Sequence, residues 1–388
     1  MNKSFQFRTP KNLIIGDGTI SQLESLAITL PTPIAVITGA RKDRHNLLWA
    51  SLSKLEQDLI PLINKGEPTI DELIKLIKFT RKKGCKSVIA MGGGSVIDMG
   101  KAISALLVNT QHPNNYLEII GKSLPLDYPA VPMIAIPTTA GTGAEATRNS
   151  VISIPNKKVK VSLRHSSMIP ETVIIDPTLT LSTPRNVTTA SGLDALTQLI
   201  EAFCSNRAHP LTDALCRSGL NNFSLALENT LEDGNNLKAR SHLAHAALMS
   251  GIALTNVGLG SVHGFAGPLG GRLKKSHGEI CATLLPIAIE TNIRALQKRD
   301  TSQNIINKYN EAASLVLSNP KAKSDDLCIW IRNILSQMCV PKLHDLGFRE
   351  SDMITTIKQA QKSSSMKSNP VELTETELKN LLEQEPNR

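Results

Sequence analysis

The sequence predicts an α/β domain over residues 1–183, followed by an all-α domain over residues 184–388. Three observations carry that expectation. Short β-branched runs alternate with helical patterns in the first half, the pattern changes after Pro177, and no β-rich run follows Pro184. Strands alternating with helices form a mostly parallel sheet covered on both faces, so its strands read as continuous apolar runs. A chain of 388 residues also exceeds one ordinary compact core.

The elements follow in order. Ile34-Ala35-Val36-Ile37-Thr38 reads as a buried strand. A helix over 69–83 places Ile70, Leu73, Ile74 and Ile77 on one face. Ser87-Val88-Ile89-Ala90-Met91, Pro132-Met133-Ile134-Ala135-Ile136 and Val173-Ile174-Ile175-Asp176 are three more strands. Ser182 or Thr183 then caps a helix whose first residue is Pro184, where a missing N–H costs nothing. Helical periodicity continues to the C-terminus, with Gly258-Leu259-Gly260 and residues 267–271 expected as loops or helix ends. The polar stretch 362–369 (KSSSMKSN) reads as a surface loop, and no internal repeat occurs.

Composition narrows the function classes. Hydrophobic residues make up 41% and charged residues 20%, the balance of a soluble globular protein. Aromatics are only 3%, too few for a surface built on base stacking, so no nucleic-acid partner is expected. The net charge of +9 is scattered, with only short clusters such as Arg81-Lys82-Lys83 and Lys157-Lys158, which suits attraction of anionic small molecules. Six cysteines (Cys85, Cys204, Cys216, Cys281, Cys328, Cys339) contain no CxxC pair and read as buried or free thiols in a reducing compartment. No apolar run approaches the roughly 20 residues of a membrane span. A cytoplasmic location is expected.

Two loops in the first half have the character of a phosphate cradle. Met91-Gly92-Gly93-Gly94-Ser95 lies between a strand and a helix starting near Val96. Glycines let the backbone approach a ligand closely, and free N–H groups at a helix start favour a diphosphate. Asp98 is expected in the first turn of that helix, where the dipole tolerates a carboxylate. The spacing is not GxGxxG, since residue 97 is isoleucine, and glycine runs also simply end strands. Pro137-Thr138-Thr139-Ala140-Gly141-Thr142-Gly143-Ala144-Glu145 follows another strand and offers hydroxyl and amide donors. It also fits a capping box from Thr142 to Glu145, and both readings can hold together. At the end of the first strand, where a carboxylate commonly binds a ribose 2′-OH, the chain has Thr38-Gly39-Ala40-Arg41-Lys42, with Asp43 following. Two cations and no carboxylate lean towards NADP(H) over NAD(H).

The second half offers metal-ligand types. On a helix over 192–203, Leu193, Leu196, Leu199, Ile200 and Phe203 form an apolar face. Asp194, Gln198 and Glu201 fall together on another face, at i, i+4 and i+7, which is also the pattern of a solvated stripe. His263 and His277 lie in glycine-rich segments. One aspartate and two histidines can hold a catalytic divalent ion with a position left open. Such an ion steadies an alkoxide or polarises a carbonyl while a nicotinamide exchanges hydride. Alternating strands and then helices place the expected site in a cleft between the two halves.

These motifs resemble, in order and over nearly the whole chain, the iron-containing alcohol dehydrogenase family of the dehydroquinate synthase-like superfamily. They are GGGS at 92–95, PTTAGTGAEAT at 137–147, IDP at 175–177, GLDALTQLIEA at 192–202, NVGLGSVHGFAGPLGG at 256–271 and HG at 277–278. The resemblance implies a Rossmann-like N-terminal domain, a helical C-terminal domain, NAD(P), and Fe²⁺ or Zn²⁺ held by Asp194, His263 and His277. It implies cofactor contacts at Thr38, Gly39, Gly94, Ser95, Asp98, Thr138, Thr139, Thr142, Asn149, Lys160 and Leu179. It further implies a small alcohol, aldehyde or ketone as substrate and a homodimer. The family's metal set is one aspartate and three histidines, and Gln198 stands where the third histidine belongs. Relatives such as glycerol dehydrogenases manage with one Asp and two His. Gly267 stands where metal-dependent relatives often carry a proton-relaying histidine, so no catalytic proton carrier is assigned. Two alternatives follow from these departures. One is metal-independent reduction, as in maleylacetate reductases, with Lys160 and Lys158 as cationic candidates. The other is a dinucleotide-binding relative without enzymatic activity.

Overall fold

The computed structural model describes residues 4–157, 159–273, 275–299, 303–340 and 342–383. The chain divides into two compact units. An α/β unit comprises Thr9–Thr139 and Gly143–Thr183, while a helical unit comprises the segment ending at Arg8, Ala140–Thr142 and the chain from Pro184 onward.

In the α/β unit the strands are β1 Asn12–Ile15, β2 Ile34–Gly39, β3 Leu59–Asn64, β4 Ser87–Gly92, β5 Met133–Pro137, β6 Asn149–Ile154, β7 Val159–Arg164 and β8 Thr172–Ile175. Six of them form a wholly parallel sheet in the order β1-β8-β5-β4-β2-β3. Its helices are α1 Leu23–Ala27, α2 Asn46–Leu52, α3 Ile70–Lys82 and α4 Gly94–Val108. On one sheet face Ile34, Val36, Ile89, Met91, Ile134, Ile136 and Ile174 pack with Leu23, Leu48 and Leu52 into a continuous core. Helix α4 lies so close to the sheet that a Cβ on Gly100 would stand 2.7 Å from Ala90 Cβ and 3.0 Å from Met133 Cε, so only glycine fits. Thr69 caps α3 by accepting from the Glu72 amide (3.3 Å), with Asp71 and Glu72 in the first turn and Arg81 and Lys82 in the last. Asp176 is a structural carboxylate: it accepts from the amides of Gly18 (3.1 Å), Ile20 (3.0 Å) and Thr178 (3.0 Å).

Three features lie outside the expected strand set. β1 is a four-residue edge strand, β3 is the opposite edge and contains Pro61, and β6 with β7 forms an antiparallel hairpin. Proline inside a short run masks an edge strand from sequence reading, because only an edge tolerates its missing donor.

The helical unit comprises α5 Arg185–Cys204, α6 Pro210–Leu220, α7 Phe223–Glu232, α8 Leu237–Val257, α9 Ser261–Leu273, α10 His277–Lys298, α11 Gln303–Val316, α12 Ser324–Gln337, α13 Met353–Gln361 and α14 Glu375–Glu383. No strand occurs in it among the described residues. Pro184 is the residue capping α5 rather than its first helical residue. The break at 258–260 is present, with Gly258 at φ 71° ending α8. The break expected at 267–271 is absent: those residues, Pro268 included, lie inside α9. Tertiary packing overrides the low helix propensity there, since α9 lies against α10 and α13. The stretch 362–369 is not wholly a surface loop either. Asn369 is buried, donating to Asn292 Oδ1 (2.7 Å) and accepting from the Ser261 amide (3.0 Å). Among the described residues no single helix is long and apolar enough to cross a membrane.

Candidate nucleotide loops and metal centre

Strand order reverses between β2 and β4, the place where an open α/β sheet leaves a crevice at its carboxyl ends. Thr38 and Gly39 end β2, and Gly92 ends β4. Gly93 caps α4, and Gly94 and Ser95 open it. Thr138 and Thr139 follow β5, and Leu179 sits in the short 3-10 turn Pro177–Thr180 after β8. These expected cofactor residues therefore share one edge of four adjacent parallel strands. Gly92 is required there, because a Cβ would fall 2.6 Å from Val96 Cγ2. A Cβ on Gly93 would come 3.5 Å from Thr139 Oγ1, so the two loops lie side by side, the second tied back by the Thr138 amide donating to Gly92 O (2.9 Å).

The remaining cofactor candidates lie away from those four strand ends. Because α4 starts at Gly94, Asp98 lies beyond the first turn, correcting the sequence expectation. Its carboxylate pairs with Lys101 Nζ (2.9 Å) and accepts from the Val151 amide (2.9 Å). Lys101, fully buried, also donates to Ala144 O (2.8 Å), Thr147 Oγ1 (2.7 Å) and Asn149 O. Asn149 begins β6, and Lys160 on β7 pairs with Glu67 (2.6 Å). Lys158 lies outside the described residues. Thr142 belongs to the Ala140–Thr142 segment of the helical unit. It does not cap a helix: Gly143, at φ 57°, caps the one-turn 3-10 helix Ala144–Ala146. Glu145 is buried instead, and burial pushes its carboxyl up to about 7. At the β2 end, exposed Arg41 pairs with Asp43 (2.9 Å).

In the helical unit, α5 is buried around its whole girth from Gly192 to Cys204, so Asp194, Gln198 and Glu201 are interior groups and not a solvated stripe. Each therefore needs a partner. Glu201 has three: it accepts from His263 Nδ1 (2.7 Å) and from the amides of Val262 (2.7 Å) and His263 (3.4 Å) at the start of α9. A carboxylate only accepts, so a neutral His263 carries its proton on Nδ1 and leaves its Nε2 lone pair for a metal. That Nε2 lies 3.3 Å from Asp194 Oδ1, and His277 Nε2 lies 3.8 Å from the same oxygen. Asp194 Oδ1 is buried and makes no hydrogen bond. Cys281 Sγ stands 3.7 Å from His263 Nε2, and the donor atoms of Asp194, His263, His277 and Cys281 all lie within 4.8 Å of one another.

A divalent ion fits this arrangement. Ligands bound tetrahedrally at the usual 2.0–2.3 Å stand roughly 3.3–3.7 Å apart, close to the separations found. The Nδ1 partner on Glu201 is the outer support that metal-bound histidines ordinarily have. Without the ion, protons must offset the same charges. Burial opposes a charged His263, but Cys281, Asp194 and Glu201 outweigh it and hold its pKa well above the usual range. Burial likewise raises Asp194, yet His277 and His263 bring it below the usual range. Burial pushes the Cys281 thiol up to about 12.

The structure thus brings Asp194, His263 and His277 together, and adds two residues that the sequence reading left without a site role. Glu201 stood only as part of a polar stripe. Cys281 stood only as a free thiol, although its place four residues after His277 on one helix puts both on one face. Gln198 is turned away from ligation: its Oε1 accepts from Ser250 Oγ (2.9 Å), while its Nε2 faces Asp194 Oδ2 (3.4 Å).

Known proteins resemble the chain along its whole length. A family described as "Iron-containing alcohol dehydrogenase" matches residues 10–177, and one described as "Fe-containing alcohol dehydrogenase family, C-terminal" matches residues 188–385. Long-chain-alcohol dehydrogenase 1 of Geobacillus thermodenitrificans is 31% identical over 84% of this chain and 80% of its own. The probable alcohol dehydrogenase EutG of Escherichia coli is 35% identical over 71% of this chain and 73% of its own. A crystal structure of 1,3-propanediol oxidoreductase superposes with a TM-score of 0.87 at 28% identity, covering 98% of this chain and 99% of the other.

Proposed function

The chain belongs to the iron-containing alcohol dehydrogenase family, and on that premise we propose that Asp194, His263 and His277 hold the divalent ion of an NAD(P)-dependent alcohol oxidoreductase. The family and the named relatives make the chain an enzyme of alcohols, and neither metal-independent nor non-enzymatic readings are favoured. The observation that carries the ligand assignment is the buried, unbonded Asp194 Oδ1 facing two imidazoles, one of them fixed by Glu201.

The work divides between the two units. In the α/β unit, Gly94 and Ser95 at the start of α4 and Thr138 and Thr139 beside them supply N–H and hydroxyl donors for a diphosphate. Thr38 and Gly39 at the end of β2 and Leu179 after β8 would hold the rest of the dinucleotide along the same edge of the sheet. In the helical unit, Glu201 holds the His263 proton on Nδ1 and so keeps Nε2 free to ligate. When bound, the ion supplies Lewis acidity that favours alkoxide over alcohol.

Three finer points belong to the same proposal. Arg41 and Lys42, with no carboxylate between Thr38 and Lys42, support NADP(H), although Arg41 is shared with Asp43. Free cysteines suit a reducing, cytoplasmic setting. The family resemblance supports a homodimer acting on a small alcohol, aldehyde or ketone. The test is metal analysis of purified protein beside turnover of a panel of alcohols with NAD⁺ and NADP⁺. One divalent ion per chain, loss of turnover on chelation and its return with Fe²⁺ or Zn²⁺ are expected. Full turnover by metal-free protein overturns the ligand assignment.

A further inference from the structure

We propose that Cys281 is a thiolate ligand of this metal, so that the centre is an Asp/His/His/Cys set in which sulfur takes the place left by Gln198. The inference rests on the metal reading above and concerns how the site is completed. Three observations support it. First, Cys281 Sγ lies 3.7 Å from His263 Nε2, the separation of two ligands on one tetrahedral ion, and it closes the group whose donors all fall within 4.8 Å. Second, Cys281 is fully buried and follows His277 by one turn of α10, so the two present their donors from the same face of a rigid element. Third, Gln198 is committed elsewhere. Its Oε1 lies 2.9 Å from Ser250 Oγ, whose one proton it shares with Ala247 O (2.8 Å), its Nε2 lies 3.4 Å from Asp194 Oδ2, and reversing the amide would set its oxygen against the Asp194 carboxylate.

A thiolate would add to the negative charge that Asp194 and, behind His263, Glu201 already set against a dication, so it is geometry and not charge balance that favours sulfur. Thiolate also shifts preference towards thiophilic ions such as Zn²⁺. Binding breaks the Cys281 S–H bond and forms a metal–sulfur bond. The proton passes to solvent and no electrons are exchanged.

The test is X-ray absorption at the zinc edge of the zinc-loaded full chain, with the ultraviolet spectrum of the cobalt-loaded chain beside it. One sulfur scatterer at about 2.3 Å and a sulfur-to-cobalt charge-transfer band are expected. Cys281→Ser should remove both and weaken zinc binding by at least about tenfold, while Gln198→Ala should keep the sulfur shell. The wild-type spectra decide the matter even if the serine variant folds poorly. A first shell of nitrogen and oxygen alone overturns the thiolate while leaving the metal reading in place. A chain that binds neither ion overturns both.

Discussion

Buried charge is what distinguishes individual residues in this chain. Glu201 holds three donors at once, one of them the imidazole proton of His263. Glu201→Ala should lower metal affinity by about 10–100-fold, because His263 loses the partner that fixes its tautomer and ring plane. Competition titration against a chromophoric chelator measures it, and unchanged affinity would contradict the positioning role. Glu145 has the opposite problem, a buried carboxyl with its pKa raised to about 7. The folded chain keeps that proton at pH values where the unfolded chain, at the usual 4.5, has released it. The stabilisation is complete below about pH 4.5 and is lost as pH rises to about 7. Glu145→Gln, which stays neutral, should therefore gain on the wild type between pH 5 and pH 8, by on the order of 2–4 kcal/mol at the upper end. Thermal melts of both proteins at the two pH values check the sign; a gap that shrinks as pH rises would refute it.

Among the elements, the first turn of α10 is the most constrained. Ser276 caps it by accepting from the Glu279 amide (3.3 Å), and Glu279 returns the bond to the Ser276 amide (3.1 Å). His277 comes next, and Gly278 follows, where a Cβ would sit 2.1 Å from the carbonyl oxygen of Ala190 on α5. Backbone meets backbone there, so Gly278→Ala must push α10 away from α5 and carry His277 away from Asp194. A loss of about 1–3 kcal/mol or more is expected, with weaker metal binding beside it; melting and zinc titration read the two effects. A variant as stable as wild type with intact affinity would mean that the helices separate without cost.

How far sequence reaches these elements depends on how much of their signal is local. β2, β4, β5 and β8 were legible because central parallel strands are buried on both faces and so are apolar throughout. The edge strands β1 and β3 were not, since an edge tolerates polar residues and Pro61. In α9 residues 267–271 read as a break although they form helix, because glycine and proline carry no local helical signal while the helices that pack against them, α10 and α13, come later in the chain. The proposed metal ligands Asp194, His263 and His277 were legible as motifs. The supports were hidden: the partners of Glu201, the commitment of Gln198 and the approach of Cys281 are all distances between separate helices.

At the scale of the molecule, the candidate nucleotide loops and the proposed metal donors fall in different compact units. The candidate phosphate donors Gly94, Ser95, Thr138 and Thr139 all belong to the α/β unit, whereas Asp194, His263, His277 and Cys281 all belong to the helical one. Each ligand should therefore stabilise its own unit first. An ion at 100 times its dissociation constant adds about 2.7 kcal/mol to any opening that breaks its site. Amide exchange limited by such openings should slow by roughly 100-fold in α5, α9 and α10, the three helices that the donors join. NADPH alone should instead slow exchange in the loops after β2, β4 and β5. Hydrogen exchange read by mass spectrometry, with zinc and NADPH added separately to metal-free protein, distinguishes the two patterns. If zinc leaves α5, α9 and α10 exchanging as before, those helices do not share an ion. If NADPH protects only the helical unit, the glycine and threonine loops do not hold the diphosphate.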